Sequence, residues 1–293
     1  MTSQTVPSAP GAARAAWRRA TLALGDGTSL ALFETGRTDS EAPVLLLVHG
    51  MGHWSQAAWD LLAVRFERTH RVVAFDLPGF GDSGKPDVEY TLAYFSAALR
   101  AVVEGLGLRC FALTGHSLGG LIAADYAATY PQDVRLLTLI APAGFLRTPK
   151  LALRIAASRP VVGLLQRLRP SQGFVRRTFR TAVFDEAALP EDYHARAFEL
   201  SQDKAMTRAF VRVYAGAMQQ LLHMKELHER LAAWRGPTLL VWGREDRYVP
   251  IRALAGARAV YPHAEVLEIE NCGHVPSLEY PDLTAQRMLA CGA

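Results

Sequence analysis

The chain is poor in cysteine, in continuous apolar sequence and, over one long stretch, in acid, and each shortage narrows its class. Cys110, Cys272 and Cys291 fall at no paired and no metal-ligand spacing, which argues against a disulfide framework and a zinc site and leaves ordinary reduced thiols. No apolar run approaches the roughly 18 to 20 residues that span a bilayer. The opening MTSQTVPSAPGAARAAWRRA also lacks the apolar core of a secretory signal, so a cytoplasmic protein without stable membrane insertion is expected. No Asp or Glu occurs from Ala141 to Phe184, although nine Lys or Arg residues lie between Arg147 and Arg180. A solvated, Arg-faced helical segment is the plain reading of that imbalance; an anionic substrate or an acidic membrane surface is the alternative. Nucleic acid is not an expected partner, because the net charge is only +4 and no helix-turn-helix, zinc-finger or RNA-platform pattern occurs.

What the 293 residues do hold is 50% hydrophobic sequence, ample for one sizeable core with an inserted subdomain. Residues 1–16, rich in Ala, Ser and Pro and without periodicity, read as a disordered tail. Ala20 to Leu24 and Ser29 to Thr35, joined through Gly25-Asp26-Gly27-Thr28, give a hairpin signal. Continuous apolar runs follow at Val44–Val48, Val72–Phe75, Cys110–Thr114 and Val134–Ile140, as suits strands buried on both faces. Helical spacing separates them: Trp59, Leu62, Ala63 and Phe66, then Leu92–Gly105, then Leu118–Thr129. That alternation predicts a mostly parallel α/β sheet covered by helices on both faces. From 143 to 235 the strands stop and the text turns helical, punctuated by Pro149, Pro160, Pro170, Gly173 and Pro190. Strands resume at Thr238–Trp242 and Glu265–Ile269, with helices at Ile251–Val260 and Leu283–Leu289. The expected organisation is a core of 17–142 and 236–293 with a helical cap inserted at 143–235.

Chemistry concentrates at strand ends. In ALTGHSLGG, Ser117 stands between Gly115 and Gly119 where a buried strand meets a helix, a turn that lifts the hydroxyl above the sheet and aims the Leu118 N–H at whatever it attacks. A serine hydroxyl needs a base, and the base needs an orienting group. His274, in NCGHVPSLEYP, follows the strand at Glu265–Ile269, and Asp246, in WGREDRYVP, follows the strand at Thr238–Trp242. Parallel strands end on one edge, so Ser117, Asp246 and His274 can meet there. Glu245 and Asp82 are rivals for the acid, and His116 sits too close to Ser117 to be its base. HGMGHW (His49–Trp54) supplies a close-approach backbone after an earlier strand, which makes Met51 N–H, ahead of Gly50, the second donor for an oxyanion beside Leu118 N–H.

HGMG, DLPGFGDS, GHSLGG, GREDRYVP and GHVPSLEYP together resemble the α/β-hydrolase superfamily, in its capped branch of esterases, lipases, C–C bond hydrolases and haloperoxidase-like enzymes. The resemblance covers about Ala20 to Leu289. It implies an eight-stranded α/β-hydrolase sheet and a Ser-Asp-His triad working without cofactor or metal. Branches with Asp at the elbow, the epoxide hydrolases and haloalkane dehalogenases, are not favoured by Ser117. Hydrolases of ring-cleavage products typically carry Asn where this chain has His116. A carboxylic ester of a small or medium hydrophobic substrate is therefore the expected target. C–C hydrolysis, perhydrolysis, acyl transfer and, in another class, a non-catalytic binding protein are the alternatives. The expected pocket takes His53 and Trp54 from the oxyanion loop, Phe145 past a strand end, and Met218, Leu222 and His223 from a late cap helix. The Arg-rich start of the cap suggests an acid-bearing or amphiphilic substrate.

Overall fold

A computed structural model of the chain describes residues 13–146, 148–167 and 169–293, so most of the expected tail and the Arg147 start of the basic stretch lie outside it. Residues 13–16, expected as part of that tail, are held: Arg14 pairs with Asp192 at 2.6 Å and Ala16 N–H donates to Glu67 Oε1 at 3.2 Å.

Eight strands form one sheet: β1 (Arg18–Ala23), β2 (Ser29–Gly36), β3 (Val44–Val48), β4 (Arg71–Phe75), β5 (Phe111–His116), β6 (Val134–Ile140), β7 (Thr238–Gly243) and β8 (Glu265–Ile269). Their order is β1-β2-β4-β3-β5-β6-β7-β8. β2 runs against both neighbours, and all other pairings are parallel. Helices α1 (Ser55–Ala63), α2 (Leu92–Gly105) and α3 (Leu118–Thr129) alternate with strands as far as β6. Between β6 and β7 come α4 (Lys150–Ala156), α5 (Arg159–Leu165), α6 (Gln172–Ala182), α7 (Tyr193–Gln202), α8 (Lys204–Gln220) and α9 (Met224–Leu231), with no strand among the described residues. α10 (Leu254–Val260), α11 (Pro276–Glu279) and α12 (Pro281–Ala290) complete the chain. No helix among the described residues is long and apolar enough to cross a membrane.

The unbroken apolar strands follow from burial on both faces. In β3, Leu46 and Val48 enter one core with Val73, Leu113 and residues of α2, α3 and α10, while Leu45 and Leu47 enter the opposite core with Val72, Ala112 and residues of α1 and α12. At roughly 1.5–3 kcal/mol per buried Leu or Val side chain, these two layers fix the register of the central strands. α3 is buried from Leu118 to Ala127 because the sheet lies beneath it and α9 packs over it.

Some boundaries differ from the sequence expectation. β5 starts at Phe111, since Cys110 sits at φ 49, and runs on through Gly115 and His116, which pair with Leu139 and Ile140 of β6. α1 begins at Ser55, ahead of the Trp59 pattern, because its first turn is buried and shows no amphipathic stripe. Gly173, read as a break, lies inside the first turn of α6.

Candidate active site

β5 delivers the chain to Ser117 at φ 53 and ψ −116, a conformation costly for any residue with a Cβ. The cost is borne because both flanks are glycine. A Cβ on Gly115 would fall on the Gly119 carbonyl, and one on Gly119 would fall on the Val48 and His49 carbonyls at the end of β3. The serine thus projects at the start of α3, whose first N–H groups and positive dipole end face the same space.

Asp246 and His274 come from the ends of β7 and β8 and meet: His274 Nδ1 lies 2.7 Å from Asp246 Oδ2, with both residues buried. The other carboxylate oxygen, Oδ1, accepts Tyr248 N–H at 2.8 Å and Val249 N–H at 2.9 Å. Because the carboxylate only accepts, the neutral ring carries its proton on Nδ1 and presents a lone pair at Nε2. The rival acids are engaged elsewhere. Glu245 Oε2 accepts Cys272 N–H at 3.0 Å, and Asp82 pairs with Arg196 at 2.8 Å and Arg19 at 3.2 Å.

The HGMGHW loop runs directly beside the serine, since a Cβ on Gly50 would stand 3.1 Å from Ser117 Cβ. His49 holds that loop: Nδ1 donates to Gly50 O at 2.8 Å and Nε2 accepts Leu77 N–H at 2.9 Å, while burial lowers its pKa and keeps it neutral. Asp76, at the head of DLPGFGDS, accepts Ser55 N–H at 2.7 Å with one oxygen and Asp82 N–H at 2.7 Å with the other, clamping the two motifs together.

His116 is a tether. Its Nε2 donates to the His274 carbonyl at 2.8 Å, joining the elbow to the loop that carries His274. Burial drives its pKa well below 6.5, and burial pushes His53 down to about 3, so neither ring adds a like charge beside His274.

Ser117, His274, Met51, Leu118 and His53 border one cavity of about 350 Å³. Leu121, Leu146, Leu153, Phe179 and Met218 make its wall apolar, and His53 is fixed there by a 3.1 Å contact between Nδ1 and the Tyr193 hydroxyl. Of the expected pocket residues, His53 and Met218 are on this cavity and four are not. Trp54 packs on Tyr193, ring centroids 5.2 Å apart, and borders an adjoining apolar space of about 150 Å³. Phe145 follows Gly144, whose φ of 96 turns the chain so that the Phe145 ring stacks on His228 at 5.3 Å. Phe145 then borders an outer cleft together with Leu222 and His223, which leave the α8 face because α8 stops at Gln220 and a 3-10 turn follows.

Glu279 is a contributor that motif reading passes over. From α11 its Oε1 accepts Gly273 N–H at 2.9 Å and its Oε2 accepts Phe184 N–H at 2.6 Å, so one carboxyl braces the His274 loop against the insertion. The sequence signal is an acid in SLEYP five residues after His274, at the end of a short segment that is buried throughout. Burial raises its pKa from 4.5 to about 7, with the backbone donors opposing the shift. The folded chain therefore holds this proton more tightly than the unfolded chain does, and the group's contribution to stability, full below about pH 4.5, is lost as pH rises through about 7. Glu279→Gln is expected to flatten that slope while costing about 1–3 kcal/mol, because an amide offers an oxygen to only one of the two N–H donors. Urea midpoints of both proteins between about pH 5 and about pH 8 measure this; parallel curves would refute it.

Comparison with known proteins agrees with this architecture. The family model described as alpha/beta hydrolase fold matches residues 43–281. Lipase 1 of Psychrobacter immobilis is 28% identical over 276 residues, covering 92% of this chain and 82% of its own. The crystal structure of a bacterial membrane phospholipase A is 29% identical with a TM-score of 0.74, over 94% of this chain and 85% of that one. A candidate lipase from Acinetobacter baumannii AYE superposes with a TM-score of 0.80 at 26% identity, over 94% of this chain and 90% of the other. The one reversed strand, the serine turn between β5 and α3 and the extent of that match leave one assignment: the chain belongs to the α/β-hydrolase fold family.

Proposed function

We propose that the chain is a serine esterase acting through an acyl-enzyme on carboxylic esters of small or medium hydrophobic molecules. One observation carries the reading: Ser117, strained at φ 53, shares a single apolar cavity with His274, whose Nδ1 is held 2.7 Å from Asp246. His274 Nε2 takes the Ser117 proton as Oγ bonds to the ester carbonyl carbon. The Met51 and Leu118 N–H groups receive the oxyanion. As the C–O bond to the alcohol breaks, the imidazolium returns the proton to the leaving oxygen. Water then enters, gives its proton to His274, attacks the acyl carbon and releases the acid, restoring Ser117. Asp246 keeps the proton of the neutral ring on Nδ1 and stabilises the cation without accepting that proton.

The names of the relatives, two lipases and a phospholipase A, support an ester as the bond cleaved. The volume supports its size, since about 350 Å³ falls at the lower end of the roughly 300–1,000 Å³ of small-molecule sites. In this reading α4–α9 form the cap, and Leu153 and Met218 limit the acyl or alkyl group. A fluorophosphonate probe is expected to label Ser117 stoichiometrically and to leave Ser117→Ala unmodified. Folded protein that resists the probe would favour a binding protein over an enzyme.

A further inference from the structure

The insertion carries a second feature that ester cleavage leaves unused. Where the α5–α6 connection meets the start of α8 lies a cleft of about 320 Å³ lined by Arg167, Arg169, Lys204 and Arg208, with Ser201 and Thr207 beside them and no carboxylate among the described residues. None of these four cations forms an ion pair with the described residues. Other arginines of the insertion do: Arg176 and Arg180 pair with Glu186, Arg196 with Asp82 and Arg212 with Asp87. The acid nearest in sequence, Asp203, accepts Ala205 N–H at 2.8 Å at the start of α8 and forms an ion pair with none of the four. Four cations lining one cleft, with no ion-pair partner among the described residues, make a site for an oxyanion.

The position of this cleft narrows the oxyanion's source. It shares Ser201 and Thr207 with the apolar space of about 150 Å³, and that space shares Gly52, Thr178, Phe179 and Phe210 with the Ser117 cavity. The cationic cleft, the apolar space and the serine cavity therefore adjoin in that order, each sharing wall residues with the next. Phe174, which borders the apolar space, is 62% exposed, and Leu164 on α5 is also 62% exposed. Large apolar side chains standing in solvent beside unpaired arginines match the layered chemistry of a lipid surface, phosphate outside and hydrocarbon within.

We propose that this cleft binds the phosphates of an anionic lipid surface and so seats the adjoining apolar space on the lipid, as a passage by which an acyl chain enters toward Ser117. The use of the passage rests on the esterase reading; the docking does not.

The test uses the full chain carrying Ser117→Ala, sedimented with vesicles of phosphatidylcholine alone or mixed with phosphatidylglycerol, so binding is read without turnover. Binding is expected only with phosphatidylglycerol. The further pair Arg167→Gln and Arg169→Gln is expected to weaken it about 25-fold, about fivefold per charge, from about 1 kcal/mol for each basic residue near an anionic leaflet. The same pair in otherwise wild-type protein leaves hydrolysis of a soluble short-chain p-nitrophenyl ester unchanged, which shows that the fold survives. Equal sedimentation with pure phosphatidylcholine, or an undiminished double variant, overturns the proposal. So does saturable binding of inorganic phosphate, lost in the double variant, by a chain that ignores both vesicles. An inactive wild type that still binds phosphatidylglycerol vesicles would refute the esterase reading and uphold the docking.

Discussion

Ser117→Ala is expected to lower kcat on a p-nitrophenyl ester by about 10⁶-fold while leaving KM nearly unchanged, since the cavity and the two N–H donors stay in place. The substitution removes the proposed nucleophile and little else. The alanine would still be held at the φ of 53 that Ser117 occupies, so the backbone strain persists. Ser117→Gly would relieve it, and that variant is expected to be equally inactive yet more stable than Ser117→Ala by about 1 kcal/mol. Steady-state kinetics and urea denaturation of the pair separate the chemical role of the hydroxyl from the conformational demand of the turn. Full activity in Ser117→Ala would end the proposal.

Asp246→Asn is expected to cut kcat by about 10⁴-fold without unfolding the protein. Asp246 Oδ1 accepts N–H groups of Tyr248 and Val249, so an asparagine must keep its oxygen there and turn its NH₂ toward His274. An NH₂ can only donate, and it therefore forces His274 Nδ1 to give up its proton and Nε2 to carry it. A ring protonated at Nε2 cannot deprotonate Ser117. Ring-nitrogen shifts of His274 in the two proteins would report the tautomer directly. An Asp246→Asn enzyme that kept its rate with Nδ1 still protonated would remove Asp246 from the mechanism.

The sheet and the meeting of Asp246 with His274 are legible in the sequence because they depend on periodicity and on strand ends, both local signals. Leu45 to Val48 read as a doubly buried strand from their own composition, and Asp246 and His274 each follow such a strand. Pocket membership is not local. Met218 and Leu222 are one helical turn apart in sequence, yet α8 ends between them and sends them to different cavities. Phe145 is diverted by one positive φ at Gly144, which nothing in GFL announces. Glu279 and Asp76 each accept one backbone N–H from a remote segment, Phe184 at 95 residues and Ser55 at 21, and no spacing rule marks such an acceptor.

The seat of Gly119 against the Val48 and His49 carbonyls carries a consequence for how such a protein diversifies. At Gly119 the spacing between the serine turn and the end of β3 is set by backbone touching backbone. The cavity wall opposite is drawn largely from the insertion, through Leu153, Phe179 and Met218. Drift in the insertion can therefore resize the cavity while the distance between the proposed oxyanion donors stays constant. Selection for a new substrate has the whole wall to work on, whereas at Gly119 every alternative residue is lethal to the geometry.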